Sequence, residues 1–101
     1  MALSPAELEF LRQERIGRLA TVGPTGFPHV MPVRYKVGDD GSLEFDADGI
    51  KLRNLSKEPR AALVVDAMGP RRGVAVQGTA TVIGPERVRL TPQHSYSWGL
   101  S

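Results

Sequence analysis

The sequence contains no cysteine among its 101 residues, which excludes disulfide bonds, thiolate-bound metals and cysteine nucleophiles. Its two histidines, His29 and His94, are far apart, and without cysteine they do not indicate a zinc or iron site. No apolar run approaches the roughly 20 residues that span a membrane, and residues 1–5 show no apolar core of a secretory signal. We therefore expect a soluble, cytoplasmic protein with no membrane partner and no metal.

Aromatic residues are also scarce, at 6%, and the formal net charge is only +2. Single-strand nucleic-acid sites interleave aromatic and basic residues, which this chain does not, so we expect no nucleic-acid partner. The sequence has neither a GxGxxG nor a Walker A motif, and a Ser-His-Asp triad drawn through His94 lacks a nucleophile elbow. The length predicts one domain over residues 1–101, with a thin core for which oligomerisation is a common remedy.

Capping and turn residues divide the chain into short elements. Ser4, Pro5 and Glu7 predict a helix start with a capping box. A second short helix is predicted over residues 51–58, closed by Pro59. Between glycine-, proline- and aspartate-rich turns, six strands are predicted over residues 16–22, 29–37, 43–46, 61–65, 73–83 and 88–98. The uninterrupted apolar run 61–65 predicts a strand that is buried on both faces.

Six short strands, mostly joined as hairpins, favour a mainly β fold. We predict a six-stranded split β-barrel of Greek-key type with short flanking helices, because closure removes the exposed strand edges. An open α+β sandwich is the alternative.

Two cations stand at the start of the second helix. If Asp48 caps that helix, Lys51 and Arg53 lie in or just beyond its first turn, where the helix dipole is partially positive and backbone N–H groups lack acceptors. A phosphate would complete such a site, whereas the alternative is that both are solvated surface residues. Arg34 and Lys36 share one face of the second strand and are expected near this helix, where the four cations would form a groove for a phosphate or a carboxylate-rich tail. The alternative is an ordinary exposed strand face.

Most of the chain resembles a known family. The segments IGRLAT (16–21), GFPHVMPV (26–33), KLRNL (51–55) and EPRAALV (58–64) resemble the pyridoxamine 5′-phosphate oxidase-like split-barrel proteins. The segments RGVAVQG (72–78) and SWGL (97–100) look like an actinobacterial branch of probable F420-dependent enzymes. The resemblance implies a homodimer whose cofactor lies in a groove between the subunits.

The resemblance also implies which residues bind the cofactor. Lys51 matches the family position that contacts the cofactor phosphate, and Arg53 and Asn54 lie beside it. Four residues of the second strand would line the ring system: Met31, Pro32, Val33 and Arg34. FMN-binding members commonly have Ser-Arg just before the matching lysine, where this chain has Gly49 and Ile50, so F420 is expected rather than FMN.

The implied reaction is hydride transfer between the deazaflavin F420 and a small unsaturated organic substrate. The alternatives are an FMN-dependent oxidoreductase or flavin reductase of the same fold, and a non-catalytic protein that holds F420, a flavin or haem. No catalytic residue is assigned. Tyr35, His29, Tyr96 and bulk water are all candidate proton donors.

Overall fold

The computed structural model describes residues 2–100, which form a closed antiparallel β-barrel with helices at both ends. The helices are α1 (Pro5–Gln13) and α2 (Gly49–Lys57), and a short 3-10 turn covers Gly69–Arg71. The strands are β1 (Ile16–Val22), β2 (Pro28–Val37), β3 (Leu43–Asp46), β4 (Arg60–Ala67), β5 (Arg72–Gly84) and β6 (Arg87–Trp98). Their order around the barrel is β1-β2-β3-β6-β5-β4. The predicted six-stranded barrel is confirmed, and its closure excludes the open sandwich.

Helix α1 begins with the predicted capping box. The Glu7 backbone N–H donates to Ser4 Oγ at 3.1 Å, and the Ser4 N–H donates to Glu7 Oε1 at 2.8 Å. The Tyr35 hydroxyl on β2 donates to the carbonyl oxygen of Leu11 at 2.7 Å, which fixes α1 across one end of the barrel. Neither described helix is long and apolar enough to cross a membrane.

The core lies inside the barrel and consists of the inward side chains of every strand together with α1. Its largest fully buried members are Phe45, Leu11, Leu19, Leu43, Leu63 and Leu90. Strand β4 departs from the prediction that it is buried on both faces. Leu63 and Val65 point inward and are fully buried, whereas Ala62 and Val64 lie half-buried on the outer surface. The prediction is wrong for a single chain, because no element among residues 2–100 covers the outside of β4.

The barrel is split along one edge of β2. This strand pairs with β1 from Pro28 to Arg34, but pairs with β3 only through residues 35–37. Strand β3 then leaves β2 and stays with β6, and the chain continues directly into α2. Helix α2 closes this end of the barrel and packs against β1 and β5. The first half of β2 therefore keeps one edge without a partner strand.

Candidate functional site

The free edge of β2 exposes a defined set of backbone groups. The Tyr35 N–H donates to Arg15 O at 3.0 Å, and the Phe27 carbonyl accepts from Gly23 at 3.4 Å, so the odd-numbered residues of β2 point their backbone groups toward β1. Backbone groups alternate along an antiparallel strand. The N–H groups of Val30 and Arg34 therefore point into the split. Pro32, midway between them, has no N–H and offers only its carbonyl oxygen, as is usual for proline on a strand edge.

The backbone N–H groups at the start of α2 have no side-chain acceptor from the cap residue. Asp48 occupies the N-cap position, as predicted, but its side chain makes no capping hydrogen bond, and the first turn contains no acidic residue. The N–H groups of the first turn are thus left for an external acceptor. Lys51 is the third residue of this helix and is half-buried. The helix start is therefore a suitable place for an anion.

The side chains of Lys51 and Arg53 leave helix α2 on different sides. Two residues along an α-helix are separated by about 200° around its axis, so the two side chains leave on nearly opposite sides. Lys51 is half-buried, on the side that also holds the buried Leu55, whereas Arg53 is exposed. The half-buried position of Lys51 favours it as the phosphate contact, and a contact from Arg53 stays a prediction.

A cavity of about 520 Å³ lies beside Lys51, and its lining is not cationic. The other lining residues are Asp46, Ala47, Asp48, Glu86 and Arg87. Three carboxylates thus face two cations, which disfavours a phosphate inside this cavity. A phosphate would instead approach Lys51 from the N–H groups of the first helical turn.

Asn54 connects α2 to the barrel. Its side chain is only 5% exposed, and its Nδ2 donates to Thr21 Oγ1 on β1 at 3.0 Å. A buried amide needs such a partner, because an unpaired polar group in the interior is costly. The amide nitrogen is therefore committed to holding the helix. A contact between Asn54 and a cofactor stays a prediction.

The predicted residues of β2 separate into two sets. Met31, Pro32 and Arg34 are exposed around the split. Val33 is 5% exposed in the core, and its backbone groups face Gly17 on β1. Strand alternation turns the side chain and the polar backbone groups of Val33 away from the split, and a contact between Val33 and a ring system stays a prediction.

The predicted groove of four cations does not form within one chain. Lys36 lies opposite Glu44 of β3 and beside the end of α1, in a cavity that includes Arg12 and Arg15. The cavity beside Lys51 includes neither Arg34 nor Lys36. The grouping fails because β3 separates from β2 after residue 35, so that Lys36 stays within the paired sheet.

The three candidate proton donors occupy different environments. Burial, reinforced by the nearby charge of Glu14, raises the pKa of Tyr35, whose proton is bonded to a carbonyl oxygen, so this hydroxyl is a poor donor. Tyr96 is exposed on the outer face of β6. His29 faces inward opposite Thr21, and its buried Nδ1 has no hydrogen-bond partner among the residues described. Of the three, only His29 lies on the half of β2 whose second edge has no partner strand.

An apolar outer face was not identified from the sequence. Cross-strand pairing aligns Val30, Ala20, Ala62 and Gln77 in one row, and Pro32, Arg18, Val64 and Ala75 in the next. The middle of this face, on β1, β4 and β5, consists mainly of alanine and valine side chains. The uninterrupted apolar run of β4 was the available signal, since its outward residues are as apolar as its inward ones.

A closed antiparallel barrel of six strands, split along β2, is the architecture of the split-barrel class of folds. The chain belongs to the pyridoxamine 5′-phosphate oxidase family, whose sequence model matches residues 3–97. This confirms the resemblance on which the sequence interpretation depends.

Individual relatives extend the comparison. The chain is 33% identical, over an alignment of 121 residues, to the 5a,11a-dehydrotetracycline/5a,11a-dehydrooxytetracycline reductase of Streptomyces rimosus, covering 99% of this chain and 85% of the relative. A conserved hypothetical protein of Mycobacterium tuberculosis has a TM-score of 0.81 at 26% identity, over 95% of this chain and 84% of that one. An F420 reductase has a TM-score of 0.79 at 22% identity, over 93% of this chain and 98% of that one.

Proposed function

We propose that this protein is an oxidoreductase that uses a phosphate-bearing flavin-type cofactor, F420 in preference to FMN, to reduce a small unsaturated organic substrate. The observation that carries the proposal is the uncapped start of α2 with Lys51 on its first turn, in a barrel that also has a β2 edge with unpaired backbone groups. The helix start suits a phosphate, and the free edge suits a planar polar ring.

The residues at the split fit the chemistry of a deazaflavin or flavin ring. The pyrimidine edge of either ring carries carbonyl and N–H groups, one of which can pair with the N–H group of Val30 or Arg34 or with the Pro32 carbonyl. When bound, the cofactor supplies hydride chemistry. The protein holds the ring along β2, anchors the phosphate with Lys51, and excludes water with the exposed side chains around Met31.

Two observations favour F420 over FMN. Gly49 and Ile50 precede Lys51, so this chain has neither a hydroxyl nor a second cation where FMN-binding members commonly have both. Arg34 makes no ion pair within the described residues and is available to the carboxylate tail of F420. The relative from Streptomyces rimosus is a reductase of a dehydrogenated polycyclic compound, which supports a reductive role for this chain.

The proposal includes a homodimer formed through the apolar outer face. Ala62 and Val64 lie at the centre of an apolar surface, and in the single chain they are only half-buried, so part of each side chain is still exposed to solvent. A second copy is the natural occupant, because the face carries both a cation and a carboxylate, Arg18 and Asp66, which pair at 2.6 Å within the chain and can each also meet its opposite across a two-fold axis. Such a dimer would bury β4 on both sides, as its sequence pattern indicates.

Sedimentation equilibrium tests the dimer. Val64→Arg places a charge at the centre of the face, and we expect it to yield monomers. Thr81→Arg introduces the same side chain at an exposed position of β5 outside the rows described above, and should leave the mass unchanged. A monomeric native protein, or a dimer that persists with Val64→Arg, would refute this part of the proposal.

A binding titration tests the cofactor. Purified protein is titrated separately with F420 and FMN, and affinity is followed by calorimetry and by the absorbance of each ring. We expect F420 to bind at least tenfold more tightly, since its tail adds charged contacts. Tighter binding of FMN would make the protein an FMN-dependent enzyme of the same fold, and binding of neither would refute the proposal.

A further inference from the structure

A buried hydrogen bond joins helix α2 to the barrel. The Nδ2 of Asn54 donates to Thr21 Oγ1 at 3.0 Å, and the two residues are only 5% and 1% exposed. Among the nine described residues of α2, only Asn54 and Leu55 are buried. Because so few side chains anchor this helix, the bond from Asn54 to Thr21 is a main determinant of how α2 is rotated about its own axis.

The placement of Lys51 depends on that rotation. Lys51 precedes Asn54 by three residues, so the two side chains leave α2 about 60° apart around its axis. A rotation that released Asn54 from β1 would also carry Lys51 out of its half-buried position. The bond from Asn54 to Thr21 therefore orients the residue to which the proposed function assigns the cofactor phosphate.

Two complementary polar groups lie beside this bond. Thr21 uses a lone pair of its oxygen to accept from Asn54 and keeps its hydroxyl proton, and a hydroxyl buried to this degree needs an acceptor for that proton. His29 has a buried Nδ1 that makes no hydrogen bond with the residues described. An imidazole nitrogen that carries no proton is an acceptor.

The strand register brings these two groups to the same place. Thr21 of β1 and His29 of β2 are directly paired. The side chains of such a pair lie on the same face of the sheet, with Cβ atoms about 4.5–5.5 Å apart. The Thr21 hydroxyl and His29 Nδ1 make no direct hydrogen bond, and one ordered water molecule can join polar groups that are slightly too far apart to bond directly.

We propose that one ordered water molecule joins the Thr21 hydroxyl to His29 Nδ1 and completes a buried hydrogen-bonded chain from Asn54 through Thr21 to His29. Every donor in this chain points the same way: Asn54 to Thr21, Thr21 to the water, and the water to Nδ1. Hydrogen bonds arranged in series strengthen one another. His29 is thus a positioning residue for Lys51, and the inference rests on the proposed function only for the role of Lys51.

NMR signals of the imidazole nitrogens test the chain in the cofactor-free protein. Because Nδ1 of His29 is an acceptor, His29 should be the Nε2–H tautomer, with an Nδ1 signal shifted by its hydrogen bond. His94, the other histidine, is exposed and serves as an internal reference. Thr21→Val should move the His29 Nδ1 signal toward that of His94. A proton on Nδ1, or a His29 signal that Thr21→Val leaves unchanged, would overturn the inference.

Two variants of His29 separate the acceptor from the bulk of the ring. The Oδ1 of asparagine takes about the position of Nδ1 and accepts the same hydrogen bond, whereas leucine has no acceptor. We expect His29→Leu to weaken F420 binding about three- to tenfold, the effect of one lost buried hydrogen bond, and His29→Asn to retain most of the affinity. Equal losses from the two variants would contradict the role of Nδ1.

A matched control removes a different hydrogen bond of the same helix. Ser56 Oγ donates to the Leu52 carbonyl oxygen at 2.8 Å on the exposed side of α2, without a link to the barrel. Ser56→Ala should therefore leave F420 affinity nearly unchanged. The phosphate-free deazaflavin ring should bind all of these variants as it binds the native protein, because it makes no contact with Lys51. A loss of affinity for that ring in His29→Leu would refute positioning through Lys51.

Amide hydrogen exchange separates this inference from the proposed function. In the cofactor-free protein, His29→Leu should speed exchange of the α2 amides relative to those of α1, and His29→Asn should not. If these effects are found and F420 does not bind the native protein, the proposed function fails while the hydrogen-bonded chain stands. If F420 binds and exchange in α2 does not respond to His29→Leu, the inference about His29 fails alone.

Discussion

Replacement of Lys51 and of Arg53 by alanine should have very different effects on cofactor binding. The two substitutions remove the same charge from the same helix, two residues apart. Lys51 is half-buried at the helix start, and its loss removes a charge-assisted contact worth about 1.5–3 kcal/mol. We therefore expect Lys51→Ala to weaken F420 binding roughly ten- to hundredfold.

Arg53→Ala should change the affinity less than about threefold. Its side chain leaves the helix about 200° away from Lys51, and a helix with its side chains is about 10 Å across. At 0.1 M salt this distance is comparable to the screening length of about 10 Å, so little direct attraction remains. The contrast between the two variants separates a specific contact from the general effect of charge.

The assay is calorimetric titration of each variant with F420 and with the phosphate-free deazaflavin ring. Lys51→Ala should weaken binding of F420 alone, because the phosphate-free ring makes no contact with Lys51. The thermal midpoint of each variant shows whether the fold is intact. Equal losses from both variants would refute the assignment of the phosphate to Lys51, as would a loss of affinity for the phosphate-free ring.

Three further predictions concern the fold that carries the site. Gly78→Ala should lower the free energy of unfolding by about 2–3 kcal/mol in urea denaturation, because its Cβ would overlap the backbone carbonyl of Thr91 on β6, whereas Gly84→Ala meets only ordinary contacts; equal effects would contradict this close approach of the two strands. Thr21→Val should cost about 1–3 kcal/mol by leaving the Asn54 amide unpaired, and adding Asn54→Leu should recover part of that loss; strictly additive losses would show that the bond contributes nothing. The pKa of Glu58 is lowered to about 2 from its ordinary value of 4.5, so its stabilising contribution is complete above pH 4.5 and is lost as the pH falls toward 2. Glu58→Gln should remove that part of the pH dependence of the free energy of unfolding. An unchanged pH dependence would contradict the pairing of Glu58 with Arg60.

The start of α1 and the limits of β1 and β3 could be read from the sequence. The capping box joins Ser4 to a residue three positions away, and turn residues mark the ends of the strands, so the information is local. The position of Lys51 at a helix start is equally local, since it depends on the few residues between Asp48 and the first turn. The resemblance of short segments to a family was sufficient to predict the split barrel.

The tertiary structure decided which of the predicted site residues can meet. Pairing of β2 with β1 turns Val33 into the core, and the early separation of β3 keeps Lys36 away from the cavity at Lys51. The outer face of β4 depends on alignment across several strands, as does the bond from Asn54 to Thr21. Contacts between residues far apart in the chain depend on strand register, and a shift of one residue would turn every side chain to the opposite face. The sequence alone therefore determined the elements and the cationic helix start, while register determined the site that they form.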